Sequence, residues 1–262
     1  MEFTQTLDNV ETWLLALTLT SARFMGFFYI FPITASELIP ATVRNGMAVV
    51  MAAFVTPLTM ATISAAKEPL QNLLLIGVKE AIVGALFGFA LGTIIWTFEA
   101  LGALIEFQSG SANSQVFDPL SNSETGLYSK LFTQIATMLF MTAGGLVLSM
   151  SLLIDSFIAW PINQWVPDFY NITFEIVRYM QSNFWTALLQ YSLATMAVVF
   201  LAEIFFGITG KYAPQLNISQ LSLPIKSILL LFTVGLTLPA VSGQFVEYLN
   251  GWFELLRGSL GK

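Results

Sequence analysis

Six apolar blocks, parted by short polar breaks, set the terms for this chain, because two of them are too long to be ordinary membrane crossings. They run over about 13–33, 46–66, 72–107, 131–160, 184–208 and 225–241. A hydrocarbon core about 30 Å thick takes roughly 20 helical residues, so four blocks fit one crossing each, the last of them short. The third block, read as a continuous helix of roughly 35 residues, would be about 52 Å long. It has to tilt strongly, kink, fold into a hairpin or project beyond the bilayer, and the fourth block faces the same choice. The residues are 56% hydrophobic and only 10% charged, where soluble domains carry about 25% charged residues. An all-α, integral membrane-type protein is the expectation, a single hydrophobic helical domain over 1–262.

The chain has no Cys and no His. That removes thiolate nucleophiles, disulfides, Cys/His metal centres and His proton shuttles. Intramembrane serine and metalloproteases need His, no Gly-x-Gly-Asp occurs for an aspartyl type, and no phosphate loop of Walker form is present. No enzyme, cofactor or metal is expected. The 16 acids and 10 bases are spread thinly, so no basic patch for nucleic acid is visible. The N-terminus lacks the positive region of a cleavable signal peptide, which leaves insertion to the internal apolar segments.

Between the third and fourth blocks lies Gln108–Gly126, nearly all small polar residues, with Phe117, Asp118 and Pro119 at its centre. Its backbone groups would find no partners in lipid. It must face water, line a cavity or lie against protein. Proline falls at the block boundaries, at positions 32, 40, 57, 119, 161, 167, 214 and 224, and is read as breaking helices there. The segment 161–182, with Trp165, Phe169 and Tyr170, reads as an aromatic interfacial loop. The tail over about 242–262 reads as a short amphipathic surface helix. In a six-span arrangement Arg44, Lys130, Lys211 and Lys226 fall on one side and Lys67, Arg178, Arg257 and Lys262 on the other. The positive-inside rule then has nothing to act on, as expected if a partner complex sets the placement.

The third block is the most structured. Gly84, Gly88 and Gly92 recur every four residues, a stripe that lets a neighbouring backbone approach closely. At 100° per residue Glu99 lies about 20° from Gly88 and Glu106 returns to its angle. One face therefore carries small residues and then two carboxylates, with Glu80 one turn ahead of the stripe beside Lys79. Two readings stay open for these acids: partner-paired groups in a packed interface, or an aqueous path. Glu203, Gly207 and Gly210 repeat the pattern more weakly in the fifth block, followed by Lys211. Arg23, mid-way through the first block, is costly unless paired, and pairing is the expectation for it.

An ordered set of motifs then narrows the reading. It comprises Arg23-Phe24-Met25 running to Phe31-Pro32, Val43-Arg44-Asn45-Gly46, Lys79-Glu80 through Gly84 and Gly88, and Phe98-Glu99 to Gly102. Gln108-Ser109-Gly110 leading into Asp118-Pro119, Leu201-Ala202-Glu203, Lys211 through Asn217 and Leu223-Pro224-Ile225-Lys226-Ser227 complete it. In order, spacing and total length these resemble the FliR/SctT family of type III secretion export-gate proteins. The likeness is greater to the injectisome (SctT/YscT/SpaR-type) branch, on the Lys79-Glu80 pair, the Ala213–Asn217 run and Pro224–Ser227.

The resemblance implies one copy in a helical cone of bent hairpins with FliP/SctR-type and FliQ/SctS-type subunits, and a docked FlhB/SctU-type switch protein. It implies placement in the bacterial inner membrane within the basal body, projecting toward the periplasmic side, which would account for the overlong blocks. Substrates would be unfolded secreted proteins. The loop from Phe107, through Gln108, Ser109 and Gly110 to Phe117, Asp118 and Pro119, matches the segment that plugs the conduit, with Phe117 a candidate constriction against ion leakage. The rival readings are a secondary transporter using Glu99, Glu106 and Glu203, and a purely structural scaffold. A transporter usually shows inverted repeats, which the sequence lacks.

Overall fold

Helix follows helix through the chain in a computed structural model that describes residues 2–35, 39–64, 70–109, 116–118, 123–165, 170–213, 215 and 218–260. The helices are α1 (Glu2–Ile30), α2 (Pro32–Ala35), α3 (Ala41–Ser64), α4 (Leu70–Ser109), α5 (Leu127–Thr142), α6 (Gly145–Ala159), α7 (Tyr170–Tyr212) and α8 (Ile218–Leu260). Between α4 and α5 two short strands, β1 (Val116–Asp118) and β2 (Ser123–Thr125), pair antiparallel, with Phe117 opposite Glu124. The protein is all-α in class, as its composition requires of a chain that satisfies its backbone in an apolar medium.

Among the described residues four helices are long and apolar enough to cross a membrane, Val10–Ile30, Ala41–Met60, Asn72–Phe107 and Ser192–Tyr212, and the bent pair α5 and α6 would make a fifth if it is one span. The fourth and sixth blocks depart from single full crossings, as their lengths led one to expect. The fourth block takes the kink its length called for: α5 and α6 are bent by 68° at Ala143-Gly144, where Gly144 takes φ +75°; a left-handed residue ends a right-handed helix, and glycine adopts it without a Cβ clash. The sixth block is apolar over only Pro224–Thr237. The third block, by contrast, is one unbroken helix of 40 residues, α4, about 60 Å long at 1.5 Å per residue.

Other boundaries moved too. Pro57, Pro224 and Pro239 lie inside helices, each removing one backbone bond but not ending the helix. The expected loop over 161–182 is helical from Tyr170 onward, and the reason is visible: no Gly or Pro occurs between Pro167 and Gly207. The tail is no separate helix but the end of α8, with Phe245, Leu249 and Phe253 buried at four-residue spacing and Glu247 and Glu254 exposed. Lys130, Arg178, Lys211, Lys226 and Arg257 all sit within helices, so the loop-by-loop count of charge does not apply.

The chain forms two compact units. The first comprises Met1–Thr93, Gly144–Arg178 and Gly251–Lys262; the second comprises Ile94–Ala143 and Tyr179–Asn250. In the first, α3 packs on α1 and the Thr20 and Thr59 hydroxyls meet at 2.9 Å. Phe24, Phe27 and Phe28 of α1 and Phe31 just after it are fully buried, with the Phe27 and Phe31 rings stacked at 5.0 Å. In the second, Tyr128, Phe132, Ala136 and Phe140 form a buried stripe on α5, and Phe98 meets Phe245 edge-on at 5.2 Å. Many hydroxyls turn back on their own helix, such as Thr56 to Ala52 O at 2.8 Å and Ser149 to Gly145 O at 2.6 Å, which lowers the cost of these residues away from water.

Candidate functional site

The stripe on α4 meets α1 backbone to backbone. A Cβ on Gly84 would overlap the carbonyl of Arg23, one on Gly88 would lie 2.7 Å from Phe27 O, and one on Gly26 would overlap the carbonyl of Ala81. Gly92 is buried further along. Glycine at these points lets two helices touch through their main chains, as small-residue stripes do in membrane helices.

That close crossing holds a buried charge cluster. Arg23 and Glu80 are both 0% exposed and paired at 2.6 Å through Nε and Oε2. Lys79 Nζ lies 2.7 Å from the other carboxylate oxygen. Nη1 donates to Ser156 Oγ at 2.9 Å and Nη2 to Trp160 O at 3.0 Å, and the Phe157 ring lies 3.9 Å from Arg23 Cζ. Lys79 also donates to Ile162 O at 2.8 Å and Gln164 O at 3.0 Å. A guanidinium stays charged at any physiological pH, so its burial requires acceptors on each of its three nitrogens such as these. The cluster ties α1, α4 and the end of α6 together. Sequence reasoning supplied Arg23, Lys79 and Glu80 but not Ser156, Phe157 or the carbonyls, which lie 133 and 137 residues from Arg23 for Ser156 and Trp160 and carry no local signal. Arg44 is apart from this cluster, its guanidinium 3.9 Å over the Tyr29 ring.

The second unit holds the ends of the polar segment. Phe107 is 76% exposed, and Gln108 and Ser109 complete α4. Phe117 and Asp118 lie in β1, opposite Glu124 and Ser123. Gly110 and Pro119 fall outside the described residues. Glu106, buried, accepts the Leu127 N–H at 3.0 Å across a 21-residue gap. Gly126 gives that carboxylate its room, since a Cβ there would overlap it. One turn earlier a Cβ on Gly102 would sit 2.5 Å from Ser129 Cα, so α4 and α5 touch through their backbones here as well. Tyr128 Oη donates to Ser227 O of α8 at 3.4 Å. Glu99, expected on the same face as Glu106, is half-buried and does not join this contact. Glu203, exposed, and Lys226, mostly buried, are brought together at 3.1 Å, while Lys211 is exposed at the end of α7. Among the described residues no group of His, Cys, Asp or Glu is placed to hold a metal.

A long continuous helix, backbone-close crossings and a polar segment closed at its base describe the geometry, and comparison supplies the lineage. The family described as bacterial export proteins, family 1, matches residues 14–251. The chain belongs to this family. It is 31% identical over 229 residues to Yop proteins translocation protein T of Yersinia pestis, covering 84% of each chain. Against the secretion system apparatus protein SsaT of Salmonella typhimurium it is 27% identical over 263 residues, 94% of this chain and 98% of that one. The flagellar biosynthetic protein FliR of Bacillus subtilis is 27% identical over 217 residues, 80% of this chain and 81% of that one. The FliR/SctT resemblance is thus confirmed, and the flagellar members of the family are the more distant. Family and relatives together indicate a membrane-located component of the type III secretion or flagellar export apparatus.

Proposed function

We propose that this chain is a core, non-enzymatic subunit of the export gate of a virulence-type secretion system. With FliP/SctR-type and FliQ/SctS-type subunits and a FlhB/SctU-type switch protein it forms the conduit for unfolded secreted proteins across the bacterial inner membrane. The segment 107–126 is its plug. The observation that carries this reading is the closed base of that segment: the one long polar stretch of an apolar chain begins and ends at Glu106 and Leu127, joined to each other. A segment free in solvent needs no such closure. Small Ser, Asn and Gln side chains make weak and unspecific polar contacts, which suits the passage of varied unfolded chains.

The bare face of the Ser192–Tyr212 span supports an assembled state. Phe200, Leu201, Phe205 and Ile208 are all exposed on it, and a run of apolar surface of this kind is covered by lipid or by another subunit. The buried cluster on Arg23, Glu80 and Lys79 acts in this reading as a structural clamp, not as a proton path.

Deleting Gln108–Asp118 tests the proposal. The reconstituted complex of deleted chain and partners should leak ions well above wild type, while its mass shows unchanged assembly. Conductance equal to wild type would remove the plug, and recovery of the chain as a solute-transporting monomer or homodimer would remove the gate altogether.

A further inference from the structure

Of the four long spans, Ser192–Tyr212 buries the least of itself, and its bare surface is not uniform. Met196, Phe200, Glu203 and Gly207 follow one another at spacings of four, three and four, so they share one face of α7. All four are exposed. Glu203 stands near the middle of the span, about 16 Å from Ser192 and about 14 Å from Tyr212 at 1.5 Å per residue. Lys226 Nζ holds its Oε1 at 3.1 Å, while Oε2 has no partner among the described residues. The pair is therefore balanced in charge but not in hydrogen bonds, and one carboxylate oxygen faces outward at the depth where an apolar medium tolerates it least.

One turn on, Gly207 poses the converse question. A Cβ there would meet nothing within 4 Å, so the packing of this chain does not require glycine, and glycine weakens a helix interior. On the surface of a membrane helix it lets another backbone come close. An acceptor with no donor and a gap with no occupant thus lie side by side on an apolar face.

We infer that this face of α7 docks a membrane-spanning helix of a different subunit, one that sets an uncharged donor, the side chain of Ser, Thr, Asn or Gln, against Glu203 Oε2 and crosses close over Gly207. This rests on the export-gate reading above and names the chemistry of one of its contacts. Hydrocarbon has no donor to offer, which sets lipid aside. A second copy meeting this face with its own would bring two carboxylates together, and Met196, Phe200 and Gly207 carry no side-chain donor for them. The donor is uncharged because Lys226 already balances Glu203, and a further cation would be buried in excess. Met196 and Phe200 supply the apolar contact, and the single hydrogen bond decides which helix is accepted and at what height.

Photo-crosslinking in the purified complex of full chain and partners tests this. With p-benzoylphenylalanine in place of Phe200, irradiation should join the chain to another subunit. Peptide mass should map the link to an apolar helix with Ser, Thr, Asn or Gln within one turn of the attachment point. Links to lipid alone, to a second copy of this chain, or to a helix whose polar group there is Lys or Arg overturn the inference. Gly207→Leu should lower the yield of full-mass complex about tenfold, the order that overpacking a close contact produces. Against lipid the same change adds an apolar side chain to an apolar medium, so an undiminished yield also overturns the inference. Should G207L be degraded before assembly, the crosslink, made with Gly207 intact, still decides. Recovery of the chain as a monomer or homodimer removes the gate reading and this contact with it, whereas a full-mass complex in which position 200 links only to lipid removes this contact and leaves the gate.

Discussion

Replacing Arg23 with Met tests how the charge cluster holds the first unit together. The side chain is wholly buried, and Met roughly fills its volume without its charge. Glu80 would keep Lys79 at 2.7 Å as its remaining partner. Ser156 Oγ would still donate to Leu153 O, whereas Trp160 O would lose the donor it has at 3.0 Å. Removing one member of a buried pair costs about 3–5 kcal/mol. Lys79 argues for the lower end, about 3 kcal/mol, and the stranded carbonyl adds about 1 kcal/mol. The double variant R23M/E80M removes both charges and leaves Lys79 its two carbonyls. It should lie within about 2 kcal/mol of wild type, since hydrophobic replacement of both partners is often close to neutral. E80M alone should be the worst of the three, because a guanidinium cannot shed its charge to escape burial. Thermal midpoint of the detergent-extracted complex, with steady-state abundance of the chain, gives the ranking. Additive losses from R23M and E80M would refute the reasoning, because they would mean that the two charges do not depend on each other.

The remaining expectations concern packing and the surface. Gly84→Ala and Gly26→Ala each drive a methyl into a facing main-chain carbonyl and should cost about 2–3 kcal/mol or more. Gly46→Ala, with nothing within 4 Å, should be neutral or stabilise α3 by up to about 1 kcal/mol; thermal midpoints compare them, and equal effects would deny the close crossing. Glu203→Gln should change stability by less than about 1 kcal/mol as long as its pair with Lys226 faces water, because Glu203 is 55% exposed in that pair and water screens such pairs. A larger loss in the assembled complex would show that another subunit buries that pair.

Much of this was legible before any coordinates. The apolar blocks, the stripe at Gly84 and Gly88 and the isolated polar segment follow from periodicity and composition, which act locally. What escaped were events set by distant parts of the chain. Proline read as a boundary at Pro57 and Pro224 because it lacks an N–H, yet each helix runs on past it. The true break came at Gly144, a residue no different in sequence from helical Gly145 beside it. The partners of Arg23 on α6 and the cap that Glu106 gives α5 join residues far apart in the chain, and no periodicity connects them. Helical angle put Glu106 at the angle of Gly88, but its partner is decided by where α5 begins.

The crossing of α1 and α4 has a mechanical consequence. Arg23 gives its main-chain oxygen to the contact at Gly84 and its guanidinium to Glu80 one turn away. The first admits only glycine opposite it, and the second admits only a carboxylate. Sliding α4 by one turn, about 5.4 Å, would set Glu80 against a main-chain contact and leave the guanidinium facing apolar side chains. Helix pairs that work by shear need interchangeable seats along their length. This pair has one seat, and it carries load along both axes as a riveted joint does, so force applied to either helix moves the two of them as a single strut.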